Sequence, residues 1–471
     1  MDTAQEPDLP RVATGVRGLD EITGGGLLKS GVYILQGMPG AGKTILANQA
    51  AHHHAAQGAR VVYVTMLAES HARLLQHLRA FDFFDPDAAP DRIYYVSAFG
   101  ALREHGLQGV VDLLRSEMRA HGATLLVLDG LVMAASAAAS EEALKVFISD
   151  IQAHSALTGC TTLLLTSEDP ERPVSAEQTM VDGIFLLRER AYGPRRERNI
   201  EVVKFRGSAT LRGNHAFSIG EHGITVLPRL EASRRHGPDG GVTSRPVSTG
   251  VTGLDTMFDI GGFGAGSINV LCGPSGSGKT TLGLHFAAAA GAGERALVFS
   301  FYESPEFLRA VARREGIDPQ GRLAGEDVRF CWHPYGETVL DELADDLLRT
   351  VREFRPARVV IDGMGGFHSA TTFRERGGPF VTTLMDELRR SGATTVVTVE
   401  QTQPGGGLAM DTATMSALAD TIVNFRVEAD HAVRRSLWIG KCRTSRTDLR
   451  VHRVVMGPRG LDVLEEAAVG G

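Results

Sequence analysis

Two stretches of this sequence carry residue types at the spacing needed to grip a nucleoside triphosphate. GMPGAGKT at residues 37–44 and GPSGSGKT at 273–280 both read G-x-x-x-x-G-K-[ST]. In such a loop Gly37, Gly40, Ala41 and Gly42, or Gly273, Gly276, Ser277 and Gly278, turn backbone N–H groups toward phosphate oxygens. Lys43 and Lys279 neutralise the β- and γ-phosphates, and the hydroxyls of Thr44 and Thr280 bind magnesium. Ile45 and Thr281 follow in the first turn of a helix, whose positive end adds to the attraction. ATP and Mg2+ are the ligands this chemistry implies.

Further carboxylates recur at matching places. Asp129 and Asp362 each end an apolar run and precede glycine, a position from which a sheet delivers a carboxylate to a magnesium shell. A helix-capping aspartate is the plainer alternative. Glu69 and Glu303 follow a second apolar run, where a carboxylate can polarise an attacking water; ESHARLL and ESPEFLR also read as helix starts with an acidic first turn. Lys204 with Arg206, and Lys441 with Arg443, alternate on a strand pattern and so share a face. Two cations on one exposed face suit a neighbouring subunit's γ-phosphate, or merely blunt a strand edge.

These landmarks form one unit written twice. TGVRGLD at 14–20 returns as TGVTGLD at 249–255, and the paired landmarks lie 233 to 237 residues apart in the same order. The expected division is a tail at 1–10, a first domain at 11–232, a linker at 233–246 rich in Gly, Pro and charge, and a second domain at 247–471. Within each half, Val/Ile/Leu runs such as GVYILQG, TLLVLDG and ARVVIDG alternate with Ala- and Leu-rich helical stretches. That is the signature of α/β domains with a mostly parallel sheet covered on both faces.

The remaining features bound the function. Lys+Arg total 49 and Asp+Glu 56, a formal charge of −7, which argues against general nucleic-acid binding. Cys160, Cys272, Cys331 and Cys442 have neither metal nor redox spacing, and a cytoplasmic setting is expected. The polar start is no signal peptide, and no apolar run has the length to span a bilayer. His52, His53 and His54 point in different directions on a helix and cannot share one ion; surface or groove positions are expected. Trp332, His333 and Tyr335 read as a packing cluster.

At these residues the chain resembles the KaiC family, a branch of the RecA/RadA ATPases, over roughly residues 11–465. TGVRGLDEITGGGL, STGVTGLD, both P-loops and RNIEVVKFRGSATLRG carry the likeness. It implies two tandem RecA-like P-loop domains, a hexameric ring with ATP between subunits, and Lys204, Arg206, Lys441 and Arg443 reaching the adjacent subunit's nucleotide. It also implies Ser/Thr autokinase activity in the second domain, with Ser416 as phosphoacceptor and Thr412 and Thr414 nearby. Departures are clear: Ala68 and Tyr302 stand where the clock-protein members have a first glutamate, Ala417 where they have a second phosphoacceptor, and Thr444 where the second Lys-x-Arg is followed by glycine. A signalling or scaffolding switch is the expected role. A nucleotide-gated module with little turnover and a RadA-like recombination ATPase are the alternatives.

Overall fold

In a computed structural model the chain divides into two compact units, Met1–Ser233 and Arg234–Gly471. The structure describes residues 9–66, 71–167, 176–233, 241–336, 338–400, 412–429 and 432–465. The division falls inside the stretch expected as linker, and Pro246–Val247 already pairs with Phe263–Gly264 as a small antiparallel ribbon of the second unit.

Each unit is a RecA-like α/β domain built on a nine-stranded sheet. In the first, the strands are β1 (Val32–Gly37), β2 (Val61–Thr65), β3 (Ile93–Ser97), β4 (Leu125–Asp129), β5 (Thr161–Thr166), β6 (Gly183–Tyr192), β7 (Arg195–Phe205), β8 (Asn214–Gly220) and β9 (Gly223–Leu227). Their order is β9-β8-β7-β6-β1-β5-β4-β2-β3. The six strands from β6 to β3 run parallel, and β6 to β9 form an antiparallel meander.

The second unit repeats this with β10 (Ile268–Gly273), β11 (Ala296–Ser300), β12 (Val328–Trp332), β13 (Arg358–Asp362), β14 (Thr394–Glu400), β15 (Thr421–Ala429), β16 (Val433–Cys442), β17 (His452–Gly457) and β18 (Gly460–Glu465). The order is again equivalent, β18-β17-β16-β15-β10-β14-β13-β11-β12.

Strand periodicity explains why the apolar runs do not alternate with polar residues. Tyr33, Leu35, Tyr63, Leu125 and Val127 fill one layer. Their neighbours Val32, Ile34, Val62, Val64, Leu126 and Leu128 fill the other. Both faces are dry, so both positions of the two-residue repeat must be apolar. β1 is buried at all six positions.

The repeated TGxxGLD segments also acquire a reason. Thr14 donates from Oγ1 and N to Asp20 Oδ1 at 2.7 and 2.9 Å, and Thr249 does the same to Asp255 at 2.7 Å from both atoms. The closed loop lies against the helix that follows the P-loop: a Cβ on Gly15 would sit 2.1 Å from the His53 ring, and one on Gly250 would sit 2.4 Å from the His285 carbonyl. Two of the three consecutive histidines do not take the expected surface or groove positions. His52 and His54 are buried, because helix Lys43–Ala56 is covered nearly all round by the sheet and by Phe83 and Phe84, which pack on His52. Burial lowers the His52 pKa to about 4.

Candidate nucleotide-binding sites

Each P-loop lies between the end of a central strand and a helix. β1 ends at Gly37 and helix Lys43–Ala56 begins immediately after Gly42; β10 ends at Gly273 and helix Lys279–Ala288 begins after Gly278. Gly42 and Gly278 precede their helices with φ of 100° and 107°, a region that L side chains rarely adopt. Gly37 is required for a different reason: a Cβ there would meet the Leu187 carbonyl at 2.3 Å.

The lysines are held at the loop mouth. Lys43 Nζ donates to the carbonyls of Gly37 and Met38 at 2.7 and 3.1 Å. Lys279 Nζ donates to those of Gly273 and Pro274 at 2.8 and 2.7 Å. Burial lowers both lysine pKa values; Asp129 opposes this for Lys43, and Glu400 and Asp362 oppose it for Lys279. Ala41 and Ser277 are buried in the loops, and Ile45 packs on the first core.

The threonine and aspartate of each domain meet. Thr44 Oγ1 donates to Asp129 Oδ2, and Thr280 Oγ1 donates to Asp362 Oδ1, both at 3.1 Å. The support behind the aspartates differs between domains. Tyr63 OH donates to Asp129 at 3.2 Å, whereas Thr398 Oγ1 donates to Asp362 Oδ1 at 2.8 Å and accepts from Gly363 N at 2.8 Å. Asp362 is buried, and its Oδ2 has no hydrogen-bond partner among the described residues. Burial raises its pKa above the usual carboxylate value. An orphaned carboxylate oxygen beside a threonine hydroxyl is the oxygen-donor set that suits magnesium. Among the described residues no cluster of three or more His, Cys, Asp or Glu side chains offers a second type of metal site.

In the second domain these groups line a cavity of about 460 Å³ together with Thr281, Tyr302, Glu303, Glu400 and Met456. Glu303 is half-buried, and burial followed by the nearby Asp362 raises its pKa. It precedes helix Pro305–Arg314, which Ser304 caps. Glu69, its counterpart, lies outside the described residues, as does Ala68. Tyr302 covers the glycines after β13: a Cβ on Gly363 would be 2.3 Å from its ring. Its hydroxyl meets that of Tyr335 at 3.2 Å. The aromatic cluster is thus only partly internal, since Trp332 and Tyr335 are exposed and Tyr335 meets Tyr302 at the cavity wall.

Glu400 was not singled out in the sequence. The same rule that marks Asp362, a carboxylate at the end of an apolar parallel strand, would have found it at the end of ATTVVTVE, whose strand lies directly beside the P-loop strand.

The Lys-x-Arg pairs stand at the other end of the sheet. Lys204 pairs with Ile184, which pairs with Ile34; Arg206 N bonds to Asp182 O, and Asp182 N to Val32 O. Gly37 lies five steps along β1 from Val32, about 16 Å at roughly 3.3 Å per step. The second domain has the same layout through Lys441↔Ile422, Asn269–Cys272 and Asp420. Lys204 Nζ donates to the carbonyls of Gln178 and Thr179 at 3.1 and 2.9 Å, and Arg206 to those of Thr179 and Met180 at 3.3 and 3.4 Å. Lys441 donates to the Ser416 carbonyl and Arg443 to that of Ala417 at 3.1 Å. The Arg206 and Arg443 side chains remain 57% and 53% exposed. Ser416 is exposed; the side chains of Thr412 and Thr414 lie outside those described.

No described helix is long and apolar enough to cross a membrane. The family model for the KaiC ATPase matches the chain twice, over residues 12–231 and 247–468. Circadian clock protein KaiC2 of Synechocystis sp. is 26% identical over 480 residues, covering 98% of this chain and 83% of its own. The circadian clock oscillator protein KaiC of Picosynechococcus sp. is 27% identical over 475 residues, covering 96% and 89%. That of Synechococcus elongatus is 25% identical over 484 residues, covering 98% and 90%. With two P-loop domains of one topology and a family match over nearly the whole length of each, this chain belongs to the KaiC family of ATPases.

Proposed function

We propose that this protein binds Mg–ATP in both domains and hydrolyses it at the interfaces of a homo-oligomeric ring, each site being completed by the Lys-x-Arg strand of the next subunit. The observation that carries the reading is the placement of those cations. In both domains they lie at the open end of the first antiparallel hairpin, toward the end of the sheet away from their own P-loop, with the arginines exposed and the lysines half-buried. The arginines are anchored about 16 Å along the central strand from their own P-loop, and exposed cations of this kind suit a polyphosphate brought by another copy.

In this reading Lys43 and Lys279 hold the β- and γ-phosphates, and the P-loop N–H groups fix their orientation. Thr44 with Asp129, and Thr280 with Asp362, would hold magnesium, which when bound neutralises charge on the phosphate oxygens. Glu303, and Glu69 in the first domain, accept the proton of the attacking water. Lys441 and Arg443 of a neighbour, or Lys204 and Arg206, stabilise the charge that builds on the transferred group. An arginine supplied in this way is worth roughly 10³–10⁵ in rate among related NTPases. The output is that of a signalling or scaffolding switch.

Assembly is the direct test. Mass in solution should rise from that of one chain to that of a ring when ATP and Mg2+ are added, and should not rise in Lys43→Ala/Lys279→Ala. A single chain that hydrolyses ATP at full rate contradicts the proposal.

A second reading has its own observation. Ser416 is exposed, and its carbonyl accepts from Lys441 Nζ, so its hydroxyl travels with the cations that would meet the neighbour's γ-phosphate. Autophosphorylation there would transfer the γ-phosphoryl group to Oγ with loss of the hydroxyl proton, releasing ADP. Mass spectrometry after incubation with ATP should find one phosphate on Ser416 and none in Ser416→Ala; an unmodified Ser416 removes this reading.

A further inference from the structure

We propose that Asp182 and Asp420 are positioning residues for the outgoing arginines, tying Arg206 and Arg443 to the strand that carries each subunit's own P-loop; this rests on the ring reading above. Both aspartates occupy the same node. Asp182 N donates to Val32 O at 2.8 Å, and Val32 N donates back to Asp182 Oδ2 at 2.9 Å. Asp420 makes the same closed pair with Ile268, at 2.8 and 2.9 Å. The carbonyl of each aspartate then accepts from the arginine backbone: Arg206 N at 2.8 Å and Arg443 N at 2.9 Å. The remaining carboxylate oxygen faces the guanidinium of the same arginine, Asp182 Oδ1 at 4.0 Å from Arg206 Nη1 and Asp420 Oδ1 at 3.9 Å from Arg443 Nη1.

This arrangement occurs twice although its surroundings differ. Around Asp420, Arg389 Nη2 also donates to Oδ2 at 3.1 Å, and Asp420 is buried while Asp182 is only partly so. The shared part is therefore the link from β1 or β10 to the arginine. A peptide N–H alone would fix the backbone and leave a long side chain its rotamers. A carboxylate beside the guanidinium narrows them, and a pre-oriented cation loses less freedom when it meets a phosphate. The other end of β1 is Gly37, whose carbonyl takes Lys43 Nζ, so six residues connect the cation that binds a subunit's own nucleotide to the one it offers its neighbour.

The test compares four full-length proteins in ATP and Mg2+: wild type, Asp182→Asn/Asp420→Asn, Arg206→Ala/Arg443→Ala, and all four substitutions together. Asparagine keeps an acceptor for the Val32 and Ile268 N–H groups and removes the charge that faces arginine. The expected result is a fall of kcat by about ten- to a hundredfold in the asparagine pair, with KM within about twofold and ring mass unchanged. In the fourfold variant the rate should be no lower than with the arginine pair alone, because the aspartates act through the arginines. Wild-type kcat in the asparagine pair, beside a slow arginine pair, overturns this inference and leaves the ring reading intact. A further fall in the fourfold variant, or failure of the asparagine pair to assemble, means the aspartates serve the fold and also overturns it. Wild-type kcat in the arginine pair overturns the ring reading and this inference with it.

Discussion

Thr398 donates a 2.8 Å hydrogen bond to Asp362, from the strand that lies between β13 and the P-loop strand. The same Asp362 oxygen accepts from Thr280, so three elements converge on one carboxylate and leave its second oxygen unpartnered. In the first domain the supporting group is Tyr63, from the strand on the opposite side of β4. The repeat has kept the carboxylate and changed what orients it.

Replacing Thr398 by valine removes a donor to Asp362 and the acceptor for Gly363 N–H. Leaving a buried polar group without a partner costs about 1–3 kcal/mol. Calorimetric titration of Thr398→Val with ATP should show roughly tenfold weaker Mg-dependent binding at the second-domain sites. Unchanged affinity would show that Thr398 does not orient the carboxylate.

Burial raises the Asp362 pKa, and the sign of its effect on stability follows. The folded protein without nucleotide holds this proton more tightly than the unfolded chain does. Its contribution is present below the ordinary aspartate pKa and is lost as pH rises through the raised value. Asp362→Asn should therefore melt higher than wild type at neutral pH without ATP, and the difference should vanish near pH 3. A shift of about 2–4 °C corresponds to roughly 1 kcal/mol in a domain of this size. A lower melting temperature for Asp362→Asn at neutral pH would refute this.

Glu303→Gln should lower kcat by about 10²–10⁴-fold at second-domain sites, the usual worth of a positioned base, with ATP binding retained. Burial and the neighbouring Asp362 raise the Glu303 pKa, so the acid limb of the wild-type rate profile should lie above pH 4.5. That limb should disappear in Glu303→Gln. Full turnover in this variant would move the base elsewhere on the cavity wall, with Glu400 the next carboxylate.

Gly37→Ala should destabilise the first domain even without nucleotide, because its Cβ would press on the Leu187 carbonyl at 2.3 Å. Overpacking of this kind costs about 1–3 kcal/mol. Thermal unfolding is the measurement, and a wild-type melting temperature would mean β6 can move away from β1.

What the sequence made legible was chemistry confined to one short segment. The P-loops need glycines, lysine and threonine within eight positions, and apolar strands announce where Asp129 and Asp362 must stand. Contacts set by register were not legible. Thr398 reads as an ordinary β-branched strand residue, Tyr63 as core, and Asp182 and Asp420 as turn residues before a strand; only the pairing of distant strands brings each to its partner. The burial of His52 and His54 was not legible either, because a run of histidines reads as a surface or groove feature and only the packed fold shows that sheet and aromatic side chains enclose the helix bearing them.

Steady-state ATP hydrolysis decides whether each arginine completes a site whose P-loop belongs to another subunit. Wild type, Arg206→Ala and Arg443→Ala would be compared in ATP and Mg2+, with ATP binding measured alongside. The arginine variants should bind ATP as wild type does and lose most of the turnover of the domain affected, at least about a hundredfold at those sites. Wild-type hydrolysis by both variants would contradict this.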